Sequence, residues 1–409
     1  MYFKLIVIFA FLYPIKVQGS FSNSCSDWLS YLFPPLSPSC FYNPDVFANT
    51  IEIIERHLGK GSYENYTVTT EDGYILTLFR ILQNNPKGVV MLQHPVTSDG
   101  VVWVQDSKKR SMAFNLHDMG YEVWLPNHRG TYYSEKHVNL SINGLKYWQF
   151  GFHEIAVYDY PAFAEKISEV SKSTDIIFVG HSMSSTSGVV YQSMQPEHAK
   201  KYFKGMILMS PVVFLHNLRG IATLIAPIFP LFSDVAYFFG VGGLFNKGSI
   251  SEILARSATY APIKQLLIMI QSLGSGPGQF DPKLSTFFFS HFPRGISFNT
   301  VNHYSQIYNA GGEFRMYDYG SKENFKRYKS KTPPSYPLEN IRVPIHLVAS
   351  QNDYLATVED NDILLSRLSE PGQMYGKFYT TGLNHIDFFY GKHRYELAIN
   401  HVLEFIDKM

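Results

Sequence analysis

The sequence predicts an α/β protein with a mostly parallel, doubly wound sheet and an inserted, mainly helical cap. Short apolar runs recur along the chain, and each is followed by a loop and a helix-like stretch, an order typical of parallel strands joined by helices. This alternation stops between about residues 213 and 333. We therefore expect a core at residues 43–212 and 334–409, with a cap or lid at residues 213–333.

The predicted sheet begins with a β-hairpin. Thr67–Thr70 and Tyr74–Ile81 alternate in polarity around Asp72-Gly73, a dipeptide that favours a type I′ turn. Helical periodicity covers Glu154–Val170 and His393–Met409. The further predicted strands are Val89–Leu92, Tyr121–Leu125, Ile176–Val179, Met206–Met209, Pro344–Ala349 and Lys377–Tyr379.

The composition excludes several classes of protein. The 35 Lys and Arg residues nearly balance the 34 Asp and Glu residues, so the basic surface that nucleic-acid binding needs is absent from the sequence. A hydrophobic content of 45% is enough for a core and excludes intrinsic disorder. The 15 histidines show no metal-ligand spacing such as H-E-x-x-H, and we expect neither a metal nor a cofactor.

The N-terminal segment predicts export. Lys4 precedes the apolar run Leu5–Tyr13, and cleavage after Gly19 would remove residues 1–19 as a signal peptide. The run is too short for a membrane anchor, which needs about 20 apolar residues. We therefore expect a secreted protein whose residues 20–42 form an N-terminal arm.

Export would affect the chemistry of the two cysteines and of two glycosylation sequons. Cys25 and Cys40 are the two cysteines of the chain, and an oxidising route would let them form a disulfide; the alternative is two unpaired thiols on a flexible arm. Asn65 and Asn139 begin glycosylation sequons, which are compatible with export.

Within the insertion, the segment Gly220–Phe245 is strongly apolar. Pro227, Pro230 and Asp234 interrupt it, which argues against a transmembrane helix. We expect this segment to cap the sheet with an apolar underside that faces a pocket; the alternative is the ordinary core of a second domain.

The strongest chemical signal is Gly180-His181-Ser182-Met183-Ser184. A buried strand leads into it and a helix-like stretch follows, which is the context of a nucleophile elbow with Ser182 as the nucleophile. The usual pattern is G-x-S-x-G, and Ser184 stands in place of the final glycine.

Two later residues fit the acid and the base of a catalytic triad. Asp353 follows the strand Pro344–Ala349 after a short loop, and His385 lies between the last strand and the C-terminal helix. Upstream, Gln93-His94-Pro95-Val96 directly follows a strand, where a second oxyanion donor should originate. The competing residues lie on helix-like segments, and they are Glu359, Asp360 and Asp362 for the acid and His393 and His401 for the base.

The chain resembles the acid lipases, the family of gastric and lysosomal lipases, from Asn43 to its C-terminus. The resemblance implies an α/β-hydrolase fold, Ser182 as nucleophile, Asp353 as acid and His385 as base, with the N–H groups of Val96 and Met183 as the oxyanion hole. Its ordered landmarks are Thr70-Glu71-Asp72-Gly73-Tyr74, Leu92-Gln93-His94, Asn127-His128-Arg129-Gly130, Tyr158-Asp159-Tyr160-Pro161, Gly180-His181-Ser182, Tyr317-Asp318-Tyr319-Gly320, Asn352-Asp353 and Asn384-His385-Ile386-Asp387.

The sequence departs from the family pattern in three respects. Pro95 replaces a glycine, the cysteines of the cap are absent, and Ser184 replaces the elbow glycine. We expect the Cβ and hydroxyl of Ser184 to crowd the turn, so that Ser184→Gly would raise kcat severalfold.

Taken together, the sequence predicts a secreted or lysosomal lipase that hydrolyses triacylglycerol or sterol esters at an oil–water interface through an acyl-enzyme. Two alternatives remain open. One is a catalytically weakened family member that binds or carries lipid, and the other is a soluble short-chain esterase without interfacial behaviour.

Overall fold

The computed structural model describes residues 22–32, 37–257 and 276–409. The predicted signal peptide, residues 1–19, lies outside these ranges. The described strands are β1 (Ser24–Cys25), β2 (Cys40–Phe41), β3 (Tyr63–Thr69), β4 (Tyr74–Ile81), β5 (Val89–Gln93), β6 (Glu122–Asn127), β7 (Lys136–His137), β8 (Ile176–His181), β9 (Phe203–Met209), β10 (Gly243–Leu244), β11 (Ile296–Ser297), β12 (Ile345–Ser350) and β13 (Lys377–Thr380).

Helices alternate with these strands. Short 3-10 helices lie at Leu29–Leu32, Gly100–Trp103, Leu145–Trp148, Pro282–Leu284 and Leu338–Asn340, an α-helical turn at Phe152–Glu154, and π-helical segments at Ile155–Asp159 and Tyr395–Ile399. The longer α-helices are α1 (Thr50–Leu58), α2 (Met112–Asp118), α3 (Tyr160–Ser171), α4 (Met183–Met194), α5 (Pro196–Tyr202), α6 (Ala222–Ile225), α7 (Phe229–Phe238), α8 (Ile250–Ser257), α9 (Ser285–His291), α10 (Phe298–Asn309), α11 (Ser321–Tyr328), α12 (Val358–Arg367), α13 (Glu370–Gln373), α14 (Asp387–Tyr390) and α15 (Asn400–Lys408).

The central sheet is mostly parallel and confirms the predicted fold class. Its strand order is β13-β12-β9-β8-β5-β6-β4-β3, and β7 pairs with β4. The strands from β13 to β6 are mutually parallel, whereas β4 is antiparallel to both β3 and β6. The carboxyl ends of β5, β8 and β12 therefore reach the same edge of the sheet, where a site can be assembled.

Both faces of the sheet are buried, which explains the continuous apolar runs of its strands. In β8, Phe178 packs into the cluster under α3 and α4, while its neighbour Val179 packs into the cluster with α2 and α15. In β6, Trp124 and Val123 divide between the two clusters in the same way. A strand covered on both faces needs apolar residues at every position.

The hairpin between β3 and β4 turns at Asp72-Gly73, but the predicted type I′ turn is wrong, because that turn needs a positive φ at both residues and only Gly73 of the two has one. Gly73 has φ of 96° and its N–H donates to Thr70 O at 2.9 Å. A Cβ built on Gly73 would lie 2.8 Å from the ring of His137. Glycine is therefore required at this position both by its backbone conformation and by the close approach of β7.

An ion cluster around the buried Arg129 fixes the turn of this hairpin to the core. The Arg129 guanidinium bonds to both oxygens of Asp72 at 2.5 and 2.8 Å, and it lies 2.6 Å from Asp159. Its centre is 3.9 Å from the centroid of the Tyr74 ring. A buried guanidinium requires this degree of pairing because an uncompensated charge in the core is costly.

The two halves of the insertion between β9 and β12 differ in the exposure of their apolar side chains. Helices α6 and α7 carry exposed apolar side chains. Helix α9 is instead buried, and Phe287, Phe288 and Phe289 belong to the same core cluster as β6 and α15. The aromatic run in the second half of the insertion therefore completes the core of the sheet.

The N-terminal arm packs against this second half. Cys25 and Cys40 face each other across β1 and β2 and are joined by a disulfide. The Tyr31 hydroxyl donates to Pro282 O at 2.7 Å. The sequons begin at exposed residues, Asn65 on the edge strand β3 and Asn139 in the loop after β7. None of the helices in the described ranges has the length and apolar character of a membrane span.

Candidate functional site

Ser182 lies on a sharp turn between β8 and α4. Its φ of 58° and ψ of −123° belong to a region that non-glycine residues rarely adopt. The Ser182 N–H donates to Met209 O at 3.0 Å, which ties the turn to the end of β9. Such local backbone strain is typical of functional sites, and the strand–turn–helix context matches that of a nucleophile elbow.

Ser182, His385 and Asp353 form a continuous hydrogen-bonded chain. The Ser182 Oγ lies 2.7 Å from His385 Nε2, and His385 Nδ1 lies 2.7 Å from Asp353 Oδ2. The other carboxylate oxygen of Asp353 accepts from the N–H groups of Leu355 and Ala356 at 2.8 and 2.9 Å. An ionised carboxylate accepts at both oxygens, so the Nδ1 of His385 carries the proton and its Nε2 is free to accept from Ser182.

The competing candidates have other partners. His393 is exposed, and His401 Nε2 lies 2.9 Å from His346 Nε2. The three carboxylates lie on α12 and bond away from His385: Glu359 to Arg219, Asp360 to Asn217, and Asp362 to Lys377 and Tyr379. Of the predicted acids and bases, the structure brings Asp353 and His385 to Ser182.

The loop after β5 forms a turn beside Ser182. Val96 lines the cavity above Ser182 together with Met183, the residue that begins α4. The His94 Nδ1 lies 2.9 Å from Pro95 O, while its Nε2 accepts from the His128 N–H at 3.3 Å. These partners make Nδ1 the protonated nitrogen, so the ring of His94 donates to the Pro95 carbonyl.

The expected crowding by Ser184 is wrong. Ser184 is 1% exposed, and its Oγ accepts from the His181 N–H at 2.8 Å. Its single proton lies between Gln93 O at 2.8 Å and His181 O at 2.9 Å. The hydroxyl therefore makes hydrogen bonds that a glycine could not make, and we no longer expect Ser184→Gly to raise kcat.

The loop that carries His385 is clamped to the inserted segment. Asp387 Oδ2 accepts from the Gln279 N–H at 2.8 Å and from the Asn384 N–H at 3.0 Å. The Asn384 side chain donates to Gly276 O at 2.9 Å. Burial raises the pKa of Asp387 to about 6. These contacts fix the position of His385 from both sides.

A cavity of about 510 Å³ opens directly above Ser182. This volume falls in the range of small-molecule sites. Among the described residues that line it there is no Asp, Glu, Lys or Arg, and its walls come from the loop after β5, from α6, α7, α10 and from the His385 loop. The reactive groups thus face an apolar space.

We expect the protein to lose stability as the pH falls below about 6.5, the ordinary pKa of histidine. Burial lowers the pKa of His94 to about 4 and of His303 to about 3, and it holds those of His128 and His181 well below the ordinary value. Below pH 6.5 the unfolded chain binds protons that the folded chain excludes, so each such histidine removes roughly 1.4 kcal/mol per pH unit until its folded pKa is reached. Asp387 opposes this over a narrower window, since its raised pKa favours the folded state as the pH falls through about 6.

Urea unfolding at a series of pH values would measure this loss. His303→Gln should make the free energy of unfolding less dependent on pH, whereas His393→Gln, at an exposed position, should leave that dependence unchanged. A free energy of unfolding that is constant from neutral to acidic pH would contradict the assignment of neutral buried histidines.

In the part of the chain that the structure describes, no group of three or more His, Cys, Asp or Glu side chains is arranged to hold a metal ion. The nucleophilicity of Ser182 can be supplied by the histidine base and the turn geometry.

Sequence reasoning missed two contributors to the site. His94 was only part of a motif, yet its ring holds the carbonyl of Pro95. Arg294 was not singled out; its N–H donates to Thr97 O at 2.8 Å and its Nε lies 3.0 Å from Asp99. The sequence signal for His94 was its position directly after a strand, where its ring can bond to the backbone of the following loop.

Two family models match the sequence. The model described as a partial alpha/beta-hydrolase lipase region matches residues 52–107, and the model described as serine aminopeptidase, S33, matches residues 85–254.

Known proteins are similar over most of the chain. Lipase member N of Homo sapiens is 33% identical over 360 residues, which is 85% of this chain and 88% of the relative. A Crotalus adamanteus protein named after lysosomal acid lipase/cholesteryl ester hydrolase is 32% identical over 381 residues, with coverage of 85% and 88%. In fold, the chain is similar to a soluble variant of monoglyceride lipase from Saccharomyces cerevisiae, with a TM-score of 0.50, 16% identity and coverage of 85% and 94%.

Proposed function

Because the chain belongs to the acid lipase family and is a lipase that acts on ester bonds, we propose that it hydrolyses neutral lipid esters through Ser182, His385 and Asp353. The substrate would be a triacylglycerol or a sterol ester. The observation that carries the proposal is the hydrogen-bonded chain from Ser182 Oγ through His385 to Asp353, which opens into an apolar cavity.

In the first step His385 Nε2 takes the proton of Ser182 as Oγ attacks the ester carbonyl carbon. Asp353 stabilises the imidazolium that forms, and its fixed orientation keeps Nε2 aimed at Oγ. His385 then donates this proton to the leaving alcohol, and an acyl-enzyme remains. Water, deprotonated by the same nitrogen, attacks the acyl carbon; as the bond to Oγ breaks, His385 returns this proton to Oγ, and the fatty acid and the free serine are released.

The negative charge of each tetrahedral intermediate needs donors that are fixed before the reaction. We assign this role to the backbone N–H groups of Val96 and Met183. Both residues line the cavity beside Ser182, and the residue before each has a backbone group in a hydrogen bond, Pro95 O with His94 and the Ser182 N–H with Met209 O. The Pro95 ring has no N–H, so the donor on this side must come from Val96.

The apolar cavity supports a long acyl chain as part of the substrate. A fatty acyl chain carries no hydrogen-bonding groups beyond its carbonyl, and the cavity lacks charged lining residues in the described part of the chain. The polar lining atoms near the ester would be those of Ser182 and His385. A charged or strongly polar substrate would lose its hydration in this space without compensation.

The exposed surface of the insertion supports action at a lipid surface. On α7 the apolar residues recur with helical spacing and point to solvent, while the opposite side packs on α10 through Tyr237 and Phe298. Exposed apolar residues on α6 and next to the ends of α7 extend this surface, and we call the whole set the lid patch: Leu224, Ile225, Ile228, Leu231, Phe232, Val235, Phe238 and Phe239. We propose that residues 213–333 form the cap, with α9 as the part of it that is buried in the core, and that the lid patch contacts the oil–water interface.

Replacing three residues of the lid patch should separate emulsified from dissolved substrates. Leu231, Phe232 and Phe238 are 68%, 60% and 85% exposed, so their joint replacement by Ser opens no core cavity. We expect at least a tenfold loss of activity on emulsified triolein and little change on dissolved p-nitrophenyl butyrate, because only the emulsion requires adsorption.

Phe325→Ser is the matched control, since Phe325 is exposed on α11 and outside the lid patch. Equal losses on the two substrates would contradict an interfacial role. They would indicate that the patch serves the dissolved ester as well, as expected of a soluble short-chain esterase.

The substrate class is tested with triolein and cholesteryl oleate emulsions, each with and without a phosphonate probe that labels an active serine. We expect hydrolysis of at least one emulsion and loss of that activity on labelling. Labelling together with hydrolysis of short dissolved esters alone would favour the soluble esterase. Absence of labelling would favour a lipid carrier.

We further propose that the protein enters the secretory route and acts outside the cell or in lysosomes. The proposal is supported by the apolar N-terminal segment of the sequence, by the exposed sequons at Asn65 and Asn139 and by the disulfide of the N-terminal arm. Expression in a secreting cell line, followed by glycosidase treatment and N-terminal sequencing, would test cleavage after Gly19 and glycan attachment at both sites.

A further inference from the structure

The hydroxyl of Ser184 joins two strand ends that border the site. It accepts from the His181 N–H, and it shares its proton between His181 O and Gln93 O. His181 is the last residue of β8 and directly precedes Ser182. Gln93 is the last residue of β5 and directly precedes the turn that contains Val96. One side chain thus contacts the backbone on both sides of the proposed oxyanion hole.

The turn after β5 is held at several points, both by a contact within the turn and by contacts from other segments. Thr97 has φ of 54°, a strained conformation for a β-branched residue. His94 donates to Pro95 O, and the Arg294 N–H donates to Thr97 O. The first residue of the turn follows Gln93, whose carbonyl receives the Ser184 hydroxyl. A strained turn keeps its shape only when such contacts fix it.

We propose that Ser184 is a positioning residue that sets the distance between the Val96 turn and the Ser182 elbow. This inference rests on the proposed function, because it concerns the donors of the same oxyanion hole. Ser184 touches neither the substrate nor the reacting atoms; it acts through Gln93 and His181. The residue that departs from the elbow pattern therefore supports the site that it was expected to disturb.

Other hydroxyls of α4 do not have this arrangement. Ser193 donates to Val190 O within its own helix at 2.9 Å. Ser185 donates to Met209 O on β9 at 3.2 Å. Among the described contacts of α4 hydroxyls, the bond of Ser184 to Gln93 reaches β5. Ser193 therefore provides a matched control, being buried on the same helix with a bond that does not reach the site.

The test compares Ser184→Ala, Ser184→Gly and Ser193→Ala in the full-length enzyme with dissolved p-nitrophenyl butyrate. Removing the Ser184 hydroxyl should lower kcat by roughly 10–100-fold, since small displacements of a reacting group or donor are costly. KM should change less than about threefold, because the acyl cavity is intact. Binding of an alkyl boronic acid, which forms a tetrahedral adduct on the serine, should weaken in parallel with kcat. Binding of the corresponding fatty acid should not.

Each outcome decides the matter. A Ser184→Gly enzyme with wild-type or higher kcat would overturn the inference and restore the crowding explanation. An equal kcat loss in Ser193→Ala, or equal weakening of the boronic and fatty acids, would mean that the hydroxyl serves only the stability of the helix. Phosphonate labelling of the wild type distinguishes failure of the proposed function from failure of the positioning role. A wild-type enzyme that takes up no label refutes the proposed function. A labelled wild type with unaffected Ser184 variants refutes the positioning role alone.

Discussion

Ser182→Ala is expected to lower kcat about 10⁶-fold while leaving the fold intact. Among the described side chains the Oγ bonds to His385 Nε2, and it lies at the floor of an open cavity, so its removal leaves no packed space unfilled. Losing the nucleophile of a triad removes the whole covalent route, and the remaining rate comes from the oxyanion donors and from binding. The backbone contact of Ser182 with Met209 O does not involve the side chain and should persist.

The measurement pairs turnover of a dissolved ester with thermal unfolding and phosphonate labelling. The variant should unfold within a few degrees of the wild type and take up no label. Retention of more than a hundredth of the wild-type kcat would contradict Ser182 as the nucleophile. The labelled serine in the wild type, located by peptide mapping, would then identify the true one.

Asp353→Asn is expected to lower kcat about 10⁴-fold by imposing the wrong histidine tautomer. The N–H groups of Leu355 and Ala356 donate to Asp353 Oδ1, so the amide oxygen of the variant must occupy that position. The NH₂ group then points at His385 Nδ1, which has to accept. The proton moves to Nε2, and this nitrogen can no longer take the proton of Ser182.

Glu359→Gln is the control for Asp353→Asn, since Glu359 forms an exposed ion pair with Arg219 and should tolerate the change. The double variant Ser182→Ala with Asp353→Asn should be no slower than Ser182→Ala, because triad members act as a unit. If the kcat losses of the two single variants multiplied in the double variant, Asp353 would act independently of the serine. A large kcat loss in Glu359→Gln would instead indicate that the acid of the triad lies on α12.

The succession of strands along the chain could be predicted because its causes are local, whereas the proposed triad residues were singled out by their places at strand ends and by the family motifs. Sheets covered on both faces need apolar runs, and these appear in β5, β8 and β12. Strand ends were harder to predict. The strand predicted at Met206–Met209 begins at Phe203 in the structure. The prediction began too late because Lys204 and Gly205 interrupt the apolar pattern. Gly205 is explained by contacts from far along the chain, because a Cβ there would meet Met409 and Tyr375.

Interactions between distant residues account for the rest of what the sequence did not reveal. Ser184 and Gln93 are 91 residues apart, so the pattern around Ser182 showed only the bulk of the serine and not its partner. Arg129 joins residues 57 and 30 positions away, and it appeared in the sequence only as part of a family motif. The second half of the insertion was expected to be part of the cap, yet Phe287, Phe288 and Phe289 pack into the core of the sheet.

The clamp between the insertion and the His385 loop has a consequence for exchanging segments between related enzymes. Helices α6 and α7 end before this clamp, so a chimera that takes only these helices from a relative retains every contact of Asn384 and Asp387. A donor segment that extends through Gly278 must itself be compatible with the clamp, because a Cβ at that glycine would overlap with the Asp387 carboxylate. A chimera meant to change the lipid-facing surface should therefore have its crossover before Gly276. A chimera meant to change the His385 loop should replace that loop together with the segment around Gly276 that it contacts.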